Sequence, residues 1–505
     1  MTDPGREPMT GESRGAPLGR RTVVKAAGSL AVTLAMLEAV GRAKPAPVRL
    51  PLDVTAVNHP DIQFDIGKFI APVQTVGGVS VQFGPVFTTF MTATLTRNPT
   101  GRDQTVLREA LDTIEANYAY SASGIFMLLS YGLPYFRRFP GGITGPIVST
   151  RMPRLLSAPT RYALEEAVPS PSDVAASNPG VVKRNFNVPV RIEANDMLFT
   201  VRSDNASSIS DVLQWLTGSN RLAGATVPSP AFQGLLAITS TRAMFQSMGL
   251  PRSVADGASL PFARFIHPQS PMWMGFADQQ VHGSGPALIA TFLGNSSAHT
   301  TTAVLGDYFD RASVQHLAHD ILDLRQFFDL DAHGDPGPDG TYLERVQYMF
   351  RSNPPPNQGN ADQYTDGGGP SFLENTFQGV TDAASSAQGI GVPGNAHRMG
   401  HLSTLQRSSR AADGTPMHVR MDGPGFDAMD VPDGSAQPKL QFTVFVPNAQ
   451  FFTTMRSSQA SPDLARQYAV PATDNGLERF ITATRRQNYL IPPRRHRSFP
   501  LTEFL

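Results

Sequence analysis

The sequence contains no cysteine. That excludes structural disulfides, thiolate catalysis, iron–sulfur clusters and zinc knuckles. Any metal or cofactor must therefore be held by His, carboxylate, Tyr or Met. An excess of either charge is also missing: 42 Lys and Arg meet 42 Asp and Glu. Nucleic-acid and membrane-surface binders need a basic surplus, so neither partner is expected. Past the N-terminal region no apolar run approaches membrane-spanning length. What is abundant is turn chemistry. The 44 Gly and 43 Pro predict many turns and long ordered loops rather than a helical bundle. With 505 residues, 40% of them hydrophobic, the chain can build two domains or one large core.

The N-terminal stretch "GRRTVVKAAGSLAVTLAMLEAV" pairs Arg20 with Arg21, then runs Thr22, two valines and Lys25 into a moderately apolar segment. It resembles a twin-arginine export signal. With Glu38 inside it, the segment is too short and weak to span a membrane comfortably. Small residues at Ala39, Gly41, Ala43 and Ala46 put the expected cleavage at about residues 39–47. Residues 1–46 are thus expected to be a signal peptide, and the mature chain a soluble secreted or cell-envelope protein. The twin-arginine route carries folded proteins, many of which receive a cofactor before export.

Hydrophobic patterning then outlines the elements. "GPVFTTFMTATLTRN" reads as a strand by its β-branched and aromatic content. "GRDQTVLREALDTIEANYAY" reads as a helix, with Leu107, Ala110, Leu111, Ile114 and Tyr118 recurring every three to four residues. "GIFMLLSYGLPYF" is a strand ending in a Gly-Pro turn, and "NVPVRIEANDMLFTV" is strand material. "SSISDVLQWLTG" is a helix with Ser and Asp cap candidates. Strand, helix, strand, strand, helix is the first part of a ferredoxin-like unit. The order recurs loosely afterwards. "GPALIATFLGN" is a predicted strand, "DYFDRASVQHLAHDILDLRQFFDL" mixes strand and helix, and "PKLQFTVFVPN" is a strand. "LERFITATRRQNYLIPP" is a predicted terminal helix. A Gly/Pro/Asn/Asp-rich loop covers residues 331–400. The fold class predicted is α+β, with two ferredoxin-like halves over residues 47–270 and 271–505.

"MWMGFADQQ", residues 272–280, brings a lone acid, Asp278, to the end of an apolar run. An unpaired buried carboxylate is costly, so such an acid is paired, exposed or used. Gly275-Phe276-Ala277-Asp278 resembles the Gly-Phe-x-Asp core of dye-decolourising peroxidases, whose aspartate lies on the distal face of a haem. The surroundings follow in order. "SGIFMLLSYGLPYF" and "NVPVRIEANDMLFTVRSD" are similar to the family's first-domain strands. "VQHLAHDILDLRQFFDL" and "LERVQYMF" are similar to its segments after the motif. "GHLSTLQRSSR" occupies the place of its haem-ligand histidine, and "PMHVRMDGPGF" that of its distal-arginine strand. Three departures stand out: Gln279 replaces the motif's last glycine, Leu402-Ser403 follow His401 where an arginine is usual, and the arginine strand lacks paired arginines.

The resemblance implies a two-half ferredoxin-like fold of the dimeric α/β-barrel type, related to dye-decolourising peroxidases, that holds haem b. It implies hydrogen peroxide and a small phenolic or dye-like reductant as partners. His401 would be the axial ligand and metal-binding residue, with His397 as the alternative. Gly275 and Phe276 would contact the cofactor. Asp278 would move a proton between the peroxide oxygens, and Arg420 would stabilise charge on the departing oxygen. Plainer roles stand beside these: a turn acid for Asp278, a surface histidine for His401, and a salt bridge with Asp422 or Asp427 for Arg420. A catalytically altered or non-catalytic binding protein is the alternative function. A third reading is a metal centre at His316 and His319, followed by Asp320 and Asp323. On a helix those histidines would share a face; on a strand they would point oppositely. The basic "RRQNYLIPPRRHRSFPL" reads as an ordered wrap over the domain rather than an anion-binding tail. Trp273, Tyr308 and Tyr348 read as packing ahead of electron relay. Nothing in the sequence fixes an oligomeric state.

Overall fold

The computed structural model describes residues 59–67, 84–165, 185–266, 268, 270–274, 287–293, 301–328, 418–452, 455 and 479–505, apart from 231, 233 and 450, with a separate pair of short strands, Gln74–Val76 and Val79–Val81. Ten strands form one large sheet. Four long strands and two helices make the first half: β1 (Phe87–Leu95), α1 (Gly101–Asn117), β2 (Phe126–Gly132), β4 (Met197–Ser203), α3 (Ala206–Leu216) and β5 (Leu236–Phe245). A short helix, α2 (Leu133–Arg137), and a short strand, β3 (Arg191–Ile192), lie between β2 and β4. The order β2-β4-β1-β5 of β-α-β-β-α-β is ferredoxin-like.

The second half contributes β6 (Ser313–Leu322), α5 (Leu324–Phe327), β7 (Val419–Arg420), β8 (Gly423–Asp427), β9 (Gln437–Val446) and β10 (Ile481–Ile491). Between the halves lies α4 (Leu250–Gly257). Strands β7 and β8 both pair with β9, which pairs with β6, which pairs with β10. That repeats the strand order of the first half, so the predicted α+β class holds. Joining the halves, β10 runs antiparallel to β2 through Tyr489↔Gly132 and Leu490↔Tyr131. At the opposite edges β8 lies against β5. Glycines make that approach possible. A Cβ on Gly425 would sit 2.9 Å from Ala243 O, and one on Gly423 would sit 3.2 Å from Met244 Sδ.

The curled sheet has an apolar interior drawn from both halves: Phe90, Leu128, Leu198, Met244, Leu317, Phe445 and Tyr489. A polar layer crosses it. Ser130 Oγ donates to Gln315 Oε1 at 2.8 Å, and Gln315 Nε2 reaches Thr200 and Thr443 at 3.3 Å each. On the outside, α1 and α3 cover the first half. Leu107, Ala110, Leu111 and Ile114 of α1 are buried at the predicted spacing, in one core with Met91, Leu129 and Phe199. Thr100 and Asp103 close a capping box at the start of α1.

Four local expectations are corrected. "LERFITATRRQNYLIPP" contributes the strand β10, not a helix, because β6 and β2 both offer it edges that no local pattern reveals. "GPALIATFLGN" forms a 3₁₀ turn at Ala287–Ala290 rather than a strand. It crosses the start of β6, where Ser313 Oγ donates to Ala290 O at 2.6 Å. Leu133-Pro134 opens α2 instead of ending in a turn, since Pro suits the first turn of a helix. The cap of α3 is Asn205, whose side chain accepts from Ser207 N at 3.0 Å, not a Ser or Asp. The basic C-terminus does wrap the domain. Arg494 and Arg497 grip Glu115 of α1, and Arg495 grips Asp61 and Asp310.

Candidate functional site

Gly275, Phe276, Asp278, His397 and His401 lie outside the described residues, as does Tyr348. Arg420 is described. It ends β7, half-buried, directly opposite Val444 of β9. Val444 is opposite His316 of β6, and His316 is opposite Asn488 of β10. Directly opposed residues in antiparallel strands point to the same side. Arg420, Val444, His316 and Asn488 therefore form one row across the outer face of the second half. The next row on that face holds Phe442, Ala318 and Arg486.

His316 is fixed in one tautomer. Asn488 Nδ2 donates to Glu165 O at 3.0 Å, so its oxygen faces the ring and accepts from His316 Nδ1 at 2.8 Å. Phe452 stacks on the imidazole at 3.6 Å between centroids, and the Arg486 guanidinium lies 5.2 Å from the same phenyl ring. The apolar run before the motif ends in packing. Trp273 is buried, and its Nε1 donates to Gly425 O at 3.0 Å at the seam between β8 and β5. Tyr308 stacks on His496 at 3.7 Å and donates to Glu503 at 2.7 Å.

His319 points the other way, into the sheet interior, as three residues on a strand require. It cannot share an ion with His316. Among the described residues no group of three or more His, Asp or Glu could hold a metal. Instead His319 belongs to a buried charge cluster that sequence reading missed. Its Nε2 lies 3.3 Å from Asp427, and its Nδ1 lies 2.9 Å from Thr484 Oγ1 and 3.9 Å from Asp430. Lys439 donates to Met429 O at 2.7 Å and lies 3.7 Å from Asp427. Arg485 clamps Asp430 through Nε at 2.5 Å and Nη2 at 2.7 Å, and its Nη1 reaches Glu193 at 3.3 Å. Glu193 also holds the fully buried Arg242.

Burial shapes the protonation of these groups. It pushes the His319 imidazole below its ordinary value, helped by Lys439 and Arg242 and opposed by Asp427. Burial also lowers the Lys439 ammonium, against the pull of Asp427 and Asp430. For the carboxylates burial acts upward but is outweighed. Glu193 is held low by Arg242 and Arg485, and Asp430 well below the usual range by Arg485. Asp427 is held low by His319, Lys439 and the Met429 N–H. Among the buried groups Arg242, Arg485 and Lys439 thus balance Glu193, Asp427 and Asp430, burial favours the neutral form of His319, and the largely exposed Arg191 lies 3.7 Å from Asp430. The cluster's signals in the sequence were His319, singled out beside His316, and Lys439, a cation inside an otherwise uncharged strand.

The fold and these two faces define an α+β protein whose paired ferredoxin-like halves share one curled sheet. The family model described as a family of unknown function, DUF7405, matches residues 158–493, and the chain belongs to that family. No curated protein matches the sequence. Among solved structures the chain is similar to a putative dyp-type peroxidase from Shewanella oneidensis, at 12% identity and TM-score 0.44, over 84% of this chain and 96% of that one. It is similar to the DyP-type peroxidase from Cellulomonas bogoriensis, at 13% identity and TM-score 0.45, over 81% and 90% of the two chains. The DyP-type peroxidase from Streptomyces coelicolor gives 13% identity and TM-score 0.45, over 84% and 92%. Likenesses of this size do not assign a site or an activity.

Proposed function

We propose that the protein is an exported haem peroxidase of the dye-decolourising type, which reduces hydrogen peroxide and oxidises phenolic or dye-like donors. The observation that carries the reading is the position of Arg420. The motif strand places its guanidinium on the outer face of the second half, in one row with a tautomer-fixed imidazole. That face is apolar at Val444, Phe442 and Phe452 and cationic at Arg420 and Arg486, a mixture that fits a flat macrocycle bearing two carboxylates. Haem b, when bound, supplies the iron chemistry that cleaves peroxide and accepts electrons from the donor. His401 would hold the iron by its imidazole, and Gly275 and Phe276 would line the cofactor. Asp278 would take a proton from one peroxide oxygen and return it to the other. Arg420 stays charged and steadies the negative charge on the departing oxygen.

Haem reconstitution of the mature chain tests this. A Soret band that shifts or weakens in His401→Ala, with peroxide-dependent oxidation of a phenol that Arg420→Leu lowers at least tenfold, is the expected result. Absence of a Soret band after reconstitution ends the reading. A normal Soret band in His401→Ala moves the ligand role to another residue. Export is tested separately: replacing Arg20 and Arg21 by Lys should keep the chain inside the cell. Gln279 and the Leu402-Ser403 pair favour a second reading, a haem-binding relative without turnover, and bound haem with no peroxide consumption selects it.

A further inference from the structure

On the inner face of the sheet, two buried polar side chains keep hydrogen-bonding atoms that no described residue serves. The Arg242 side chain is 0% exposed and uses Nη2 on Glu193, while its Nε and Nη1 have no partner among the described residues. Gln441 is 0% exposed, and neither its amide nitrogen nor its oxygen has one. Both adjoin the seam between β8 and β5, and the Arg242 charge reaches His319. Gln441 Nε2 is 3.2 Å from the point where a Cβ on Gly425 would sit, and the carbonyl of Ala243, next to Arg242, is 2.9 Å from the same point. Gln441 also stands directly opposite His319 across β9 and β6. Leaving such buried groups unserved is unfavourable, because each has given up water without gaining a partner.

The charges around them limit what can enter. His319 is faced by Asp427 from β8, Asp430 from the turn after it, Lys439 and Gln441 from β9, Thr484 and Arg485 from β10, and Arg242 from β5. Arg191, 62% exposed, also lies 3.7 Å from Asp430 but is screened by solvent; the buried cations and carboxylates are matched, so a lone buried anion would unbalance them unless a proton came with it. A carboxylic acid meets both demands. Its oxygens accept from a guanidinium, and with a primary amide it forms a two-hydrogen-bond pair.

We propose that Arg242 and Gln441 bind a small carboxylic acid, of formate or acetate size, taken up as the carboxylate plus one proton. Arg242 and Gln441 Nε2 donate to one oxygen. The proton sits either on the second oxygen, donated to Gln441 Oε1, or on His319 between Asp427 and Asp430. Either placement gives the same balance: one carboxylate and one proton enter together. Asp427, Asp430 and Arg485, whose side chains keep 16%, 10% and 15% exposure, mark the rim that meets solvent. This site lies on the opposite face of the sheet from Arg420 and does not depend on haem.

Calorimetric titration of the mature chain with sodium formate tests it. Between about pH 5.5 and 8 the apparent Kd should rise about tenfold per pH unit, as uptake of one proton requires. Paired buffers of different ionisation enthalpy should report that proton directly. Gln441→Leu should weaken formate at least tenfold while leaving folding stability unchanged or higher, because the unserved amide goes. No saturable formate binding, with ordered water as the occupant, overturns the proposal. So does an affinity independent of pH, or a Gln441→Leu protein that is destabilised but binds formate as before.

Discussion

The two halves share one strand order but differ in what their outer faces carry. In the first half the outer face is covered by α1 and α3, and the contacts are apolar: Leu107, Ile114, Leu213 and Trp215 over Met91, Leu129 and Phe199. In the second half the outer face carries Arg420, His316, Asn488 and Arg486, while its inner face holds His319, Asp427, Lys439 and Arg485. One topology therefore serves twice, first as a scaffold closed by apolar packing, then as a frame that buries polar and charged side chains on both faces. The lesson is that strand order alone does not locate chemistry. The buried polar side chains do.

The sharpest way to break that contrast is to remove one member of the inner charge cluster. Glu193→Ala leaves Arg242 buried without its carboxylate, and denaturant unfolding should show a loss of about 3–5 kcal/mol. A loss no larger than that of an exposed ion pair would mean the second half is held by packing like the first. Gly425→Ala comes next. Its Cβ would press on the carbonyl of Ala243 across the seam between the halves, and a cost of about 1–3 kcal/mol is expected in thermal melts. An unchanged melting temperature would show that the seam yields freely.

The pH dependence is smaller, and in the second half it centres on His319. The folded His319 binds its proton less readily than the unfolded chain does, with its ordinary value of 6.5. The unfolded state is therefore protonated first as pH falls, and stability is lost progressively below about pH 6.5, by at most about 1.4 kcal/mol per pH unit. His59 and His496, also lowered chiefly by burial, act in the same direction. His319→Gln should flatten the slope in unfolding experiments between neutral and mildly acidic pH. A slope that survives intact assigns the effect to the other two. The least effect is expected in the scaffold. Thr100→Ala removes the α1 cap and should cost about 1 kcal/mol by the same unfolding assay. A larger loss would make the cap, rather than the apolar face, the anchor of that helix.

Much of the first half was legible. Its strands announce themselves by β-branched and aromatic content, α1 by a four-residue recurrence that the buried set Leu107, Ala110, Leu111 and Ile114 matches, and the repeat by element order. The second half was less so. Of the site residues named from the motif, only Arg420 lies among the described residues, and its neighbours His316 and Asn488 meet it through strands far apart in sequence. The charge cluster was legible only as isolated residues for the same reason: Glu193, Arg242, Asp427, Lys439 and Arg485 are scattered over almost three hundred residues and meet only inside the curled sheet.

By itself the sequence determined the local preferences: absent thiol chemistry, balanced charge, the α+β element order and the helices that carry their own apolar stripe. Those are properties of neighbours along the chain. Only the tertiary structure decided that "ITATRRQNYLI" would be a strand, since its hydrogen bonds go to β6 and β2 rather than to itself. It also decided that Arg485 would turn inward to Asp430 and Arg486 outward to Phe452. Two adjacent arginines can turn to opposite faces, Arg486 buried and Arg485 nearly so, because each finds a partner brought there from a distant part of the chain, and desolvating either alone would be too costly.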